Sequence, residues 1–248
     1  MCVHVITEIM KIIKQNVCLP IVEPFIEGIS DMHETDKDKI LRHGPLFPNS
    51  HLRIICCGPS NSGKTCSLMS LIYSKEGISF KNIYIFSKTL YQKKYDELEK
   101  VMKTVPEIGY FTYTDCEQVP SLDDIKPFSL LIFDDIGSEA GKNRHLRSYF
   151  CQGRHKFVDI IYICQTYSAV PKQLVRDNAN ILILYRCDAL NLEHAYNDMV
   201  AGDMKFDKFS EICRATWNDS KYSCLVINKE SPLNDGRYRI GFDTYIEP

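Results

Sequence analysis

The sequence predicts an α/β domain in which a mostly parallel central sheet is flanked by helices and followed by a C-terminal antiparallel hairpin. Short β-branched or aromatic runs alternate with helical patterns from Leu52 onward, which is typical of a doubly wound parallel sheet. Several of these runs are apolar almost throughout, as strands covered on both faces must be. After Trp217 the pattern changes to two runs of alternating polarity, which indicates antiparallel pairing.

Strands and helices follow one another along the chain. The predicted strands are Leu52 to Cys57, Lys81 to Ser87, Tyr110 to Tyr113, Ser129 to Phe133, Asp159 to Cys164 and Ile181 to Tyr185. The predicted helices are Lys64 to Ser74, Tyr91 to Thr104, Asn143 to Cys151, Pro171 to Asn178 and Asn191 to Val200. The hairpin runs are Tyr222 to Asn228 and Arg237 to Tyr245, with turn-forming residues between them.

Residues 1–50 are interpreted as an N-terminal arm or lead-in to the domain at 51–248. Met1 to Leu19 has the apolar spacing of a short helix, and the prolines between Pro20 and Pro48 favour extended and turning backbone. The same run lacks the continuous apolar core of a signal peptide. No segment of the sequence approaches the ~20 apolar residues of a membrane span.

Composition bounds the class of protein. With 44% hydrophobic and 25% charged residues among 248, the whole chain is expected to fold as one large domain. The formal charge of -2 gives no overall attraction for nucleic acid, so a DNA contact would need a local basic patch. The eleven cysteines include no CxxC pair, which argues against a disulfide framework or a zinc knuckle and favours a reducing intracellular compartment.

A phosphate-binding loop follows the first predicted strand and precedes a helix. The segment matches GxxxxGK[ST] in full, in the context that this motif requires. Gly58 and Gly63 allow the backbone to curl around phosphates, and the helix adds the positive end of its dipole. Lys64 supplies a cation for the β and γ phosphates, and Thr65 offers a hydroxyl to Mg²⁺. The predicted nucleotide-binding residues are Gly58, Pro59, Ser60, Asn61, Ser62, Gly63, Lys64, Thr65 and Cys66.

This motif predicts a P-loop domain that binds ATP or GTP with Mg²⁺. A glycine-serine turn that fits the pattern by chance is the alternative interpretation.

Two carboxylates end the apolar run 130–133. Asp134 at the strand end would hold Mg²⁺, while Asp135 reaches further out to orient and deprotonate the attacking water. The spacing after the phosphate loop suits a strand that is not adjacent to the first one. The alternative is a simple strand-ending turn, since Asp and Gly favour turns.

The strand Asp159 to Cys164 ends in a neutral polar residue, Gln165. An amide at that position can hydrogen-bond both phosphate and water, and would report the presence of the γ-phosphate without adding charge. The alternative interpretation is that Gln165 is only a capping or solvent-facing residue at the end of the strand.

A basic cluster lies between Ala140 and Lys156, a stretch without acidic residues. One interpretation places some of its cations on DNA phosphates and places Arg154 in a neighbouring subunit's nucleotide site as an arginine finger. The other is a solvated helix face. Arg186, after the strand Ile181 to Tyr185, is the second candidate finger. The basic members are Lys142, Arg144, His145, Arg147, Arg154, His155 and Lys156.

The order GPSNSGKT, LLIFDDI, and GRHK running into DIIYICQTY resembles the genome-packaging ATPases of large double-stranded DNA viruses and Maverick or Polinton elements. These form the poxvirus-type branch of the FtsK-HerA superfamily of P-loop NTPases. The resemblance covers Phe47 to Arg186. It departs from the wider superfamily at Asp135, where relatives usually carry Glu.

The resemblance implies a motor in which ATP hydrolysis drives duplex DNA into a preformed capsid. Lys64 and Thr65 would be phosphate and metal ligands, and Gln165 the sensor. The implied partners are double-stranded DNA, identical subunits in a ring, and a capsid or portal-vertex protein. The implied location is the virus assembly site in the host cell, and the virion.

Other functions remain open on the sequence. Another ring-forming ATPase, such as a helicase loader or a transposition helper, would carry the same motifs. A nucleotide-gated interaction module would bind ATP without turnover. A nucleotide kinase fits less well, because no arginine-rich lid follows the phosphate loop.

Overall fold

A computed structural model describes residues 11–14, 43–44, 46–47, 51–115, 118–136, 145–173 and 175–248 of the chain. Within these ranges the strands join in one ten-stranded sheet, in the order β1-β10-β9-β8-β7-β2-β6-β5-β3-β4. The strands are Lys11–Lys14 (β1), Arg53–Cys57 (β2), Asn82–Ser87 (β3), Gly109–Tyr113 (β4), Ser129–Asp134 (β5), Val158–Cys164 (β6), Ile181–Leu184 (β7), Leu225–Asn228 (β8), Tyr238–Ile240 (β9) and Thr244–Glu247 (β10). The α-helices are Lys64–Tyr73 (α1), Lys93–Lys103 (α2), Leu146–Gln152 (α3), Ala189–Met199 (α4) and Phe206–Asp219 (α5).

The centre of the sheet is parallel. Strand β2 pairs with β6 on one side and β7 on the other, and β5 lies beyond β6. The strand that carries the acidic pair is therefore not adjacent to β2, as the spacing predicts. In this register Cys57, Cys164 and Asp134 all lie where their strands end. We call this side the carboxyl end of the sheet and the opposite side the amino end.

Apolar side chains cover both faces of the parallel strands. Along β2, Ile55 and Cys57 pack into one core cluster, whereas Ile54 and Cys56 pack into the other. Helices α1 and α2 cover the second face, and α3, α4 and α5 cover the first. Since each fully buried aliphatic side chain stabilises the fold by roughly 1.5–3 kcal/mol, these apolar strands fix the sheet's position between the two helical layers.

The predicted mixed sheet with flanking helices and C-terminal antiparallel strands is confirmed, with one more C-terminal strand than predicted. The second predicted hairpin run is broken near Gly241, whose φ is +61°, and forms β9 and β10 instead of one strand. Strands β7, β8, β9 and β10 then pair antiparallel in succession.

Two local predictions differ from the structure, and one helix was not predicted. Lys11–Lys14 form a strand that pairs with β10 rather than part of a helix, and the other residues of the predicted N-terminal helix lie outside the described ranges. The predicted helix at Pro171 to Asn178 is only a 3₁₀ turn at Arg176–Asn178 among the described residues. Helix α5 was not predicted, although it buries apolar residues at helical spacing, including Phe209, Cys213 and Trp217. None of the helices in the described residues is long and apolar enough to cross a membrane.

Candidate nucleotide-binding site

A cavity of about 650 Å³ opens at the carboxyl end of the sheet. The loop residues from Ser60 to Cys66 form one wall, and Asp134, Asp135 and Gln165 form another. The structure thus brings the predicted loop, acidic pair and sensor together around one space. Gly58 and Pro59 lie at the base of the loop rather than on the cavity wall.

The loop conformation depends on its two glycines. Gly63 immediately precedes the first residue of α1. Its φ of +105° is a left-handed geometry that glycine adopts without strain. A Cβ on Gly58 would lie 2.5 Å from Cβ of Tyr185, so only glycine allows this close approach. Asn61 is also left-handed, with φ of +64°, a region that asparagine tolerates.

Helix α1 presents its first turn to the cavity. Gly63 provides no side-chain cap, and the first turn carries no acidic residue. The backbone N–H groups of the first turn of α1 and the positive end of the helix dipole are therefore available to an anion. The Lys64 ammonium donates hydrogen bonds to the carbonyls of Gly58 at 2.6 Å and Pro59 at 2.8 Å, which hold it over the loop.

Asp134 ends β5 in a partly buried position. The Tyr95 hydroxyl donates a 2.5 Å hydrogen bond to its Oδ2 atom. Burial raises the pKa of the Asp134 carboxyl above its ordinary value, and Asp135 adds to this, while the Tyr95 hydrogen bond and the Lys64 charge oppose it. A cation beside Asp134 would favour its ionised form. Thr65 lines the same cavity, so a hydroxyl and a carboxylate together form an oxygen donor set that fits Mg²⁺.

Asp135 turns away from the strand into the cavity. Its φ of +53° is left-handed, and its backbone N–H still donates to the Ile163 carbonyl at 3.2 Å. Gln165 Nε2 donates to Asp135 Oδ2 at 3.2 Å, which links the ends of β5 and β6. The carboxylate is exposed and therefore available to a water molecule in the cavity.

Further lining residues were not predicted. Four come from the connection between β3 and α2 together with the first turn of α2, and Tyr222 comes from the turn before β8. Both segments lie at the carboxyl end of the sheet, the part of an open α/β sheet where ligands bind. The first group could have been identified in the sequence, because it follows the carboxyl end of the predicted strand that ends at Ser87. Those four residues are Thr89, Gln92, Lys93 and Lys94.

Neither predicted arginine lines the cavity of its own chain. Arg154 is exposed in the 3₁₀ helix Gly153–Lys156, which precedes β6 and so lies at the amino end of the sheet. Arg186 follows β7 at the carboxyl end, where its guanidinium donates to the Trp217 carbonyl at 2.8 Å and to Asn218 Oδ1 at 2.9 Å.

The basic cluster is only partly available as a patch. The Lys156 ammonium donates to the carbonyls of Leu122 at 2.9 Å and Asp123 at 2.8 Å, so this residue ties its 3₁₀ helix to the loop that precedes β5. Lys142 and Arg144 lie outside the described residues.

Residues 46–247 match the family described as Poxvirus A32 protein, which is most of the chain and all of the candidate site. The chain belongs to this family. Within the A32 family it is similar to DNA packaging protein OPG160 of vaccinia virus (strain Copenhagen), with 27% identity over 208 residues that cover 77% of this chain and 74% of the relative. The monkeypox virus protein of the same name is 27% identical and is covered to 67% of its length.

Solved structures share the fold of this A32-family chain. The genome packaging NTPase B204 from Sulfolobus turreted icosahedral virus 2, in complex with sulfate, has a TM-score of 0.55 at 15% identity and covers 78% of this chain and 97% of its own. Its complex with AMPPCP has a TM-score of 0.53 at 14% identity and covers 77% of this chain and 97% of its own.

Proposed function

We propose that this chain is an ATP-hydrolysing DNA translocase that packages a double-stranded DNA viral genome into a preformed capsid. The observation that carries the proposal is the single cavity in which a phosphate loop, two strand-end carboxylates and a strand-end glutamine meet. The relatives in the A32 family are named DNA packaging proteins, which supports a role for this chemistry in DNA packaging.

Nucleotide binding would use the loop as it stands. The β and γ phosphates would lie against the first turn of α1, and the Lys64 ammonium would exchange its carbonyl partners at Gly58 and Pro59 for phosphate oxygens. Thr65 and Asp134 would hold Mg²⁺, which supplies charge neutralisation between the β and γ phosphates.

Hydrolysis would use Asp135 and Gln165 at the cavity wall. The water oxygen bonds to the γ-phosphorus while the bond to the β–γ bridging oxygen breaks, and Asp135 accepts the water proton. Gln165, whose Nε2 atom lies 3.2 Å from Asp135 Oδ2, would orient both this carboxylate and the water. The products would be ADP and inorganic phosphate.

The motor would act as a ring of identical subunits around duplex DNA. A capsid or portal-vertex protein would dock it at the virus assembly site in the host cell, where a reducing compartment suits the cysteines. Among the described residues Cys56, Cys57, Cys213 and Cys224 are buried and unbridged. The DNA contact would be to phosphates and so independent of sequence.

The test is ATP turnover by the purified full chain with and without double-stranded DNA. We expect magnesium-dependent release of phosphate that duplex DNA accelerates, and no release by the Lys64→Ala variant. ATP binding without any turnover would instead indicate a nucleotide-gated interaction module. Transfer of the γ-phosphate to a nucleoside would indicate a kinase.

A further inference from the structure

A lysine outside the sequence motifs stands against the phosphate loop. Lys94 lies in the first turn of α2, is partly buried and lines the cavity. Its ammonium donates a 2.8 Å hydrogen bond to Sγ of Cys66. Cys66 follows Thr65 in the first turn of α1, so the Lys94 charge lies beside the N–H groups that would receive phosphate.

The thiol is a poor partner for this charge. Sulfur in a thiol is a weak acceptor, whereas phosphate oxygens form short, charge-assisted hydrogen bonds with ammonium groups. Within the described part of the chain, no carboxylate lies within ion-pair distance of the Lys94 ammonium. An incoming phosphate would therefore replace a weak acceptor with a strong one.

The neighbouring lysine differs in each of these respects. The Lys93 side chain is 90% exposed, and its ammonium pairs with Glu97 at 3.7 Å along the same helix. The two lysines share a helix turn and the cavity rim, but only Lys94 contacts the phosphate loop. Lys93 is accordingly a matched control for the effect of charge alone.

The backbone that carries Lys94 is anchored to the acidic strand. The next residue, Tyr95, is 2% exposed and hydrogen-bonds Asp134 at the end of β5. The start of α2 is thus held between the loop, through Cys66, and the carboxylate that would bind metal. Positioning of this kind is what a group needs in order to act on a transition state.

The geometry points to Lys94 as a further catalytic residue that binds the γ-phosphate from within the same subunit. This inference rests on the proposed function, because it assigns a role in the same nucleotide site. Lys94 would exchange Cys66 for a γ-phosphate oxygen and would balance the charge that gathers on the equatorial oxygens as water attacks. A resident cation of this kind would distinguish ATP from ADP, which lacks the group it contacts.

The test compares binding of ADP and of the non-hydrolysable analogue AMPPCP, each with Mg²⁺, by titration calorimetry on the full chain. In Lys94→Ala we expect affinity for AMPPCP to fall about tenfold or more while affinity for ADP changes by less than about twofold, since only the γ-phosphate loses a charge-assisted bond. In Lys93→Ala the two affinities should change by the same factor.

Cys66→Ala separates a catalytic Lys94 from a structural one. Removing the thiol takes away the resting partner but leaves the ammonium, so the variant should keep the preference for AMPPCP over ADP. If Lys94→Ala and Cys66→Ala instead lower both affinities equally and lower the melting temperature together, the contact is structural and the inference is overturned. If Lys94→Ala does not fold, Lys94→Met keeps the aliphatic stem and gives the same comparison.

The two proposals fail in different ways. A wild-type chain that binds neither nucleotide overturns the proposed function and the role of Lys94 with it. A wild-type chain that binds and hydrolyses ATP, with the AMPPCP preference intact in Lys94→Ala, overturns the role of Lys94 alone.

Discussion

The Tyr95 hydroxyl lies 2.5 Å from Oδ2 of Asp134 and joins the first turn of α2 to the end of β5. No sequence motif links these two elements. The hydrogen bond opposes the effect of burial, which raises the Asp134 pKa, and so favours the ionised carboxylate. Partners that orient a metal-binding carboxylate influence metal affinity without touching the metal.

Tyr95→Phe should therefore weaken the magnesium dependence of turnover. The ring still fills its buried place, but Asp134 loses its donor and its pKa rises further. We expect the Mg²⁺ concentration for half-maximal ATP hydrolysis to rise about tenfold, the lower end of the usual cost of losing such a partner. Tyr73→Phe, at the last residue of α1, removes a hydroxyl without this contact and serves as the control. An unchanged Mg²⁺ requirement would show that Tyr95 only packs.

Lys64→Ala should abolish turnover while the chain remains folded. The ammonium is bonded to loop carbonyls at the cavity wall, so its loss removes little packing. The γ-phosphate, however, loses a cation, and removal of one such donor costs about 100- to 1,000-fold in rate. Phosphate release and thermal melting should be measured on the same preparation. Turnover at the wild-type rate would contradict the assignment of the phosphate loop.

Asp135→Asn should preserve ATP binding and stop hydrolysis. The backbone here is left-handed, with φ of +53°, and asparagine tolerates this region as well as aspartate does. The substitution therefore removes the base without straining the turn, and general bases contribute about 10²- to 10⁴-fold. Binding of AMPPCP and single-turnover hydrolysis separate the two effects. Loss of binding in a folded variant would mean that the roles of Asp134 and Asp135 are exchanged.

The loop and the two polar strand ends could be predicted from sequence because each is a local pattern. Lys64 follows a strand and opens a helix, and Asp134 and Gln165 follow apolar strands, so the parallel topology alone brings them together. Their exact neighbours could not be predicted, since Tyr95 and Lys94 reach the site through the packing of α2 across the sheet. The sequence around Lys94 contains no pattern that predicts its contact with Cys66.

The edges of the sheet were the least predictable part of the fold. Lys11–Lys14 form a strand through pairing with β10, more than 200 residues later in the chain. The spacing of apolar residues within a short segment cannot predict that the segment pairs with a strand so distant in the chain. Helix α5 is different, since Phe209, Cys213 and Trp217 recur at helical intervals and the pattern was available in the sequence.

Arg154→Ala should lose most hydrolysis and keep ATP binding if the residue acts in a neighbouring subunit. Arg154 precedes β6, and the seven residues of this strand place it about 23 Å from the carboxyl end of the sheet, at about 3.3 Å per residue. It is therefore remote from the nucleotide of its own subunit. Arginine fingers supplied in trans contribute about 10³- to 10⁵-fold in rate, so the loss should be large.

Mixing Arg154→Ala with Lys64→Ala subunits tests whether the arginine works across an interface. The Lys64→Ala subunit supplies the arginine and the Arg154→Ala subunit supplies an intact pocket, so mixed rings should regain part of the activity that each variant lacks alone. Mass measurement must confirm that mixed rings form. If no mixing ratio restores hydrolysis, Arg154 is excluded from this role. Arg186 then becomes the candidate, because it already lies at the carboxyl end of the sheet and would need to release only Trp217 and Asn218.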